Sequence, residues 1–280
     1  MNERHPVAQN PNYVPALGRP ELTGFYDHAI ALLTRERRWR TALLELVVPS
    51  PGETILDVGC GTGSFAIMMK RQCPAARVIG VDPDPVVLEI ARAKAIKAGI
   101  AIGWTEAMGD ELARTGIGPV DKAVSSLVFH QCPLPMKRAI LAAMHGTLRP
   151  GGALLIADYG EQRSRTMRFL FRQIQRLDGF ENTQPNADGV LPKLFAAAGF
   201  ERVVERQSIP TPTGSISIYA SAPNGGNYGI CLHVNMLTCG QLAAQGLFDQ
   251  PKVENMGRDK HASHEYQNWY RHPFLAWPRR

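Results

Sequence analysis

Between residues 54 and 220 the chain repeats one pattern. Short apolar runs alternate with longer stretches in which apolar residues recur every three or four positions. The runs at 54–58, 77–81, 100–104, 122–127 and 153–157 predict strands. The stretches at 21–48, 62–72, 85–97, 135–148, 163–177 and 189–198 predict helices, with a less regular helical piece at 110–115. Asp84 suits an N-cap and Pro85 the first helical position. "RPGG" at 149–152 closes the helix before it. Two last strand candidates, 201–207 and 215–220, predict a hairpin-like pair. Strands alternating with helices mean parallel βαβ units with helices on both faces. In such sheets a ligand lies at the carboxyl ends of the strands.

The pattern fades at both ends. Residues 1–20 hold four prolines and read as an extended arm. From Pro223 onward Asn, His and aromatic residues rise and periodicity is lost. The expected organisation is an arm over 1–20, one domain over 21–222 and an extension over 223–280. The extension reads equally as a docking segment, a partly disordered stretch or sequence from a shifted reading frame. His261 and His264 within it stand three apart, but no cluster of acids accompanies them, so no metal site is expected.

Composition narrows the class. With 44% hydrophobic and 20% charged residues, the chain can build a packed core. The formal charge is +6, and the basic residues are scattered. The densest group, Arg35, Arg37, Arg38 and Arg40, reads as a solvated helix face. No apolar run is long enough to span a membrane, and the N-terminus lacks a secretory signal. The five cysteines are odd in number and widely spaced, which argues against a disulfide framework. The expected compartment is the cytoplasm.

The chemistry concentrates in "ILDVGCGTGSFA", residues 55–66. Gly59, Gly61 and Gly63 stand at the exit of a buried strand and the mouth of a helix. There the backbone can approach a ligand closely. Ser64 occupies the place of the third glycine of a G-x-G-x-x-G dinucleotide loop. Asp57 precedes the glycines, and Asp82 ends the next strand, where a carboxylate can accept from both hydroxyls of a ribose. An N-cap role for Asp82 is less apt, because Asp84 fills it better.

These segments resemble the class I S-adenosylmethionine-dependent methyltransferases, and most of all the group that includes ubiquinone and menaquinone C-methyltransferases. "ILDVGCGTG" and "VIGVDPDP" are similar to the first two motifs of that family. "DKAVSSLVFHQCP" at 121–133 and "LRPGGALLIADYG" at 148–160 are similar to its fourth- and fifth-strand segments. "AAAGFERV" and "GSISIYAS" are similar to its last helix and strand pair. The resemblance covers about residues 21–222. It implies a Rossmann-like, doubly wound sheet of seven strands, mostly parallel, with one antiparallel strand near the C-terminal edge. It also implies S-adenosyl-L-methionine as cofactor. The glycine loop with Asp57, Gly59, Cys60, Gly61 and Gly63 would face the methionine part. Asp82 and Pro83 would meet the ribose, and Glu106 with Ala107 the adenine. Ser126 and Leu127 would touch the methionine moiety, and Tyr26 would close over the cofactor from the N-terminal helix. Cys60 reads as a small spacer, not a nucleophile.

The reaction so implied is in-line methyl transfer to a small organic acceptor, in which alignment and exclusion of water carry much of the rate. His130 is the candidate base, with a structural or positioning role as its alternative. Asp158 and Tyr159 are expected on the acceptor side. The helix at 163–177 carries Arg165, Arg168, Arg172 and Arg176 on one face, a solvated stripe or one that attracts an anionic acceptor or a membrane surface. Nucleic acid is disfavoured as partner, because "SSLVFHQCP" replaces the Asn/Asp-Pro-Pro-aromatic run of base-amino methyltransferases. The rival readings are an NAD-dependent oxidoreductase and a non-catalytic module that docks a partner. Oligomeric state is not read from the sequence.

Overall fold

The computed structural model describes residues 34–221, and Tyr26, His261 and His264 lie outside them. The elements run α1 (Glu36–Val47), β1 (Thr54–Val58), α2 (Ser64–Gln72), β2 (Arg77–Asp82), α3 (Pro85–Lys97), β3 (Gly103–Glu106), β4 (Val120–Ser126) and α4 (Leu134–Thr147). β5 (Leu148–Tyr159), α5 (Arg165–Asp178), α6 (Phe180–Ala187), α7 (Leu191–Ala197), β6 (Val203–Thr211) and β7 (Gly214–Ser221) follow. Short 3-10 turns lie at Leu112–Arg114 and Phe129–Gln131.

All seven strands form one sheet in the order β3-β2-β1-β4-β5-β7-β6. β1 pairs in parallel with both β2 and β4. β7 is inserted antiparallel between β5 and β6. This is the mostly parallel, doubly wound sheet the resemblance implied. Its central strands are apolar on both sides because both faces are covered. On one face Trp39 and Leu43 of α1, Phe65 and Met69 of α2 and Phe171 of α5 pack with Ile55, Val124 and Ile218. On the other, Leu141 and Met144 of α4 and Leu194 and Phe195 of α7 pack with Leu56, Ala123 and Ile156.

Local chemistry sets the element ends. The Asp84 carboxylate accepts from the Val86 backbone N–H at 2.8 Å and Pro85 opens α3, as expected. Three elements depart from expectation. β3 sits a few residues later than 100–104, because its pairing with β2 begins at Ile79 and Gly103. β5 is much longer than 153–157, because Leu148 pairs with Val120 across an irregularity before the regular ladder starts at Lys122 and Ala153. α6 was not expected at all. Its sequence "FENTQPNA" has no apolar period and carries Pro185 inside the helix.

Candidate functional site

The glycine loop and the residues that close it lie at the carboxyl ends of β1, β2, β3 and β4. Gly59, Gly61 and Gly63 all have positive φ, at 70°, 51° and 74°. They differ in what surrounds them. A side chain on Gly59 would meet Val128 Cγ2 at 2.3 Å, and one on Gly63 would meet the Trp104 ring at 2.4 Å. A Cβ on Gly61 would find nothing within 4 Å. The loop is thus packed against protein at its two ends and open at its middle.

Two buried carboxylates, close enough to interact, accompany the loop. Asp57 is fully buried, and among the described residues neither of its oxygens accepts a hydrogen bond. Burial pushes its pKa up to about 7, against the pull of Arg40 from α1. An unpartnered buried carboxylate is costly, and its neighbourhood suits a cation. Asp82 is tied in from both sides. Its Oδ2 accepts from the Gly61 N–H at 2.8 Å and its Oδ1 from the Asp84 N–H at 3.0 Å. Burial lifts Asp82 to about 6, although both N–H groups work against that rise. Glu106 stands directly opposite Asp82 in the β2–β3 register and is exposed. The Ala107 N–H donates to the Asp82 backbone carbonyl at 3.3 Å, and Pro83 is half-buried beside them. Ser126 ends β4. Leu127 follows with φ 56°, a strained value for a branched side chain, and its N–H donates to the Ala157 carbonyl at 2.9 Å. Burial raises the Cys60 thiol well above its ordinary value, which disfavours the thiolate.

The three candidate catalytic residues are all buried. Asp158 accepts from the backbone N–H groups of Phe129 (2.7 Å), His130 (3.3 Å) and Tyr159 (2.7 Å). Tyr159 turns to the opposite face of β5, into the core against Phe171, and its hydroxyl bonds Thr213 Oγ1 at 2.7 Å. His130 lies between two carboxylates, with Nδ1 2.8 Å from Asp158 Oδ1 and Nε2 3.3 Å from Asp178 Oδ2. Burial alone would lower its pKa, but the two carboxylates reverse this and lift it to about 9. With a carboxylate at each ring nitrogen, His130 fits the positioning alternative.

Sequence reasoning missed the rest of this cluster. Lys137 of α4 is completely buried. Its Nζ donates to the Asn182 carbonyl at 2.7 Å and to Asn186 Oδ1 at 2.8 Å. Burial lowers its pKa to about 8, against the pull of Asp158. Asn186 Nδ2 in turn donates to the Tyr159 carbonyl at 2.9 Å. Asp178 closes α5, where only a helix end was legible. No sequence signal set Lys137 apart, since Arg138 follows it directly in the same helix.

A doubly wound sheet with a positive-φ glycine loop between two buried carboxylates defines the class of Rossmann-like enzymes that bind an adenosine cofactor across the carboxyl edge. Comparison with known proteins makes this specific. Residues 55–152 match the family described as Methyltransferase domain. A demethylmenaquinone methyltransferase from Thermus thermophilus is 28% identical over 235 residues, which cover 82% of this chain and 99% of that protein. Among solved structures, an O-methyltransferase family protein from Burkholderia thailandensis matches with a TM-score of 0.57 at 19% identity, covering 72% of this chain and 59% of that one. Magnesium protoporphyrin IX methyltransferase from Synechocystis, with bound SAH, matches with a TM-score of 0.54 at 18% identity, covering 67% and 83%. These likenesses support a class I S-adenosylmethionine-dependent methyltransferase, with the family match itself lying over residues 55–152. It is an enzyme that transfers a methyl group from S-adenosylmethionine.

Proposed function

We propose that the two buried carboxylates divide the cofactor between them. Asp57 balances the cationic methionine end, and Asp82 accepts from the ribose hydroxyls. Asp57, which finds no hydrogen-bond donor among the described residues, carries this reading, because such a buried anion at the glycine loop suits a cationic ligand. Glu106 and Ala107 would meet the adenine, and Ser126 and Leu127 the methionine part. The cofactor supplies a methyl group on a sulfonium, already a good leaving group. The chain's task is then to align the acceptor with that methyl and to exclude water. His130, Asp158 and Tyr159 hold the β4 exit in place and take no proton.

For the acceptor we propose a small apolar ring compound of the demethylmenaquinone kind. The support is the relative of that name, which aligns with this chain over 99% of its own length. Calorimetric titration with S-adenosylmethionine and S-adenosylhomocysteine tests the cofactor assignment. Asp82→Ala is expected to weaken both about 10- to 100-fold, the loss of charge-assisted hydrogen bonds. Unchanged affinity would remove Asp82 from the site. Incubation with a demethylmenaquinol analogue and mass spectrometry tests the acceptor. Retained cofactor binding with no methylated product would overturn the acceptor reading and leave the cofactor reading standing.

A further inference from the structure

We propose that the outer face of α5 and the start of α6 form a docking surface for an anionic lipid membrane. The proposal is independent of the acceptor reading.

The inner face of α5 is fixed. Phe171 is buried among Tyr159, Ile216 and Ile218, Ile174 packs beside it, and Ser164 caps the helix by accepting from the Met167 N–H at 3.1 Å. The helix is therefore not free to roll its outer side chains inward. On that outer face Arg165, Phe169, Arg172 and Arg176 follow at spacings of four, three and four, and all are exposed. Leu177 adjoins Arg176, and Phe180 opens α6. Phe169 and Leu177 are each 66% exposed and Phe180 61%. Three of the six large apolar side chains exposed among the described residues thus stand within this one segment.

The charge of the face is one-sided. Arg168 is committed to Asp188 at 3.0 Å and Arg163 to Glu205 at 2.6 Å. Arg165, Arg172 and Arg176 form no ion pair with the described residues. Asp178 turns its carboxylate inward to His130, which leaves Glu181 as the acid beside Phe180. Here arginines stand between the apolar side chains, which is the arrangement of a helix that lies in a membrane interface. The rings enter the headgroup boundary while the guanidinium groups meet lipid phosphates. α5 also reaches the candidate site through Asp178 and His130, so docking would place the β4 exit close to molecules dissolved in the bilayer.

The test is co-sedimentation of the full chain with phosphatidylglycerol-rich vesicles and with pure phosphatidylcholine vesicles. Each basic residue near an anionic surface multiplies partitioning about fivefold. Replacing Arg165, Arg172 and Arg176 together by Gln should lower binding to the anionic vesicles about a hundredfold. A Phe169→Ser, Leu177→Ser and Phe180→Ser variant should lose binding that persists at high salt. All six side chains are exposed, so unfolding temperature and S-adenosylhomocysteine affinity serve as controls for the fold. Three results would each overturn the proposal: no preference for anionic vesicles, unchanged binding of both variants, or capture by heparin or RNA that vesicles do not compete away.

Discussion

Asp57 illustrates how much one buried group predicts. Its pKa, near 7 by burial, falls when a cation arrives beside it. Binding of S-adenosylmethionine should therefore release up to one proton below about pH 7. Affinity should rise with pH up to that point and level off above it. Titration in buffers of different ionisation enthalpy reads the proton directly, and Asp57→Asn should abolish most of the effect. A dissociation constant flat across this range, with no proton released, would refute the assignment. The glycines give a second contrast. Gly59→Ala brings a Cβ within 2.3 Å of Val128 and should cost about 1–3 kcal/mol of stability. Gly61→Ala meets nothing and should cost only about 1 kcal/mol for its positive φ. Because Gly61 lines the open middle of the loop, that change should weaken cofactor binding more than it weakens the fold. Equal losses at both positions, read by melting and titration together, would show that the opening is not the binding place. The motif made these glycines and acids legible. The direction of Asp158 and Tyr159 was hidden, because it depends on which face of β5 meets α5 and β7, partners far away in the chain.

Elements α4, α5, α6 and the turn at Phe129–Gln131 are joined by buried polar contacts, not by apolar packing alone. His130 makes this joint sensitive to pH. Its folded pKa, about 9, lies above the ordinary 6.5. A raised basic group stabilises fully below about pH 6.5, and the contribution is lost as pH rises through about 9. The amount is on the order of 3 kcal/mol. Melting curves between these limits should fall more steeply for the native chain than for a His130→Gln variant. Lys137→Met removes the donor to Asn182 and Asn186 while keeping the bulk of the side chain. Hydrogen exchange should then speed up in α6 before it does in β1 or β4. Uniform protection across all of them would show that Lys137 does not hold α6. The sequence revealed α3 through Asp84 and Pro85, signals local to the helix. It concealed α6, because that helix is held by Lys137 from α4, and its own residues have neither period nor propensity to announce it.

For the whole molecule, the informative strand is β7. Every residue of it is buried, and Ser221 Oγ, near its end, accepts from the Leu154 N–H at 2.8 Å. We propose that the domain ends just beyond it, at 222. A chain shortened after Ala222 should keep the unfolding temperature and S-adenosylhomocysteine affinity of the full protein. One shortened after Thr213 should not fold. The alternation of strands and helices made the sheet readable in advance. The position of β7 between β5 and β6 was readable only through resemblance, since no local signal records which edge a last strand will enter.

That insertion also orders events during synthesis. The ribosome releases β1 to β5 well before β7, so β5 first emerges with one edge of unpaired N–H and C=O groups. β6 joins the sheet only through a partner made after it. The nascent sheet thus waits, with an adhesive margin exposed, for its final eight residues. A chaperone that shields this margin would act in the interval between the emergence of Tyr159 from the ribosome and the emergence of Ser221.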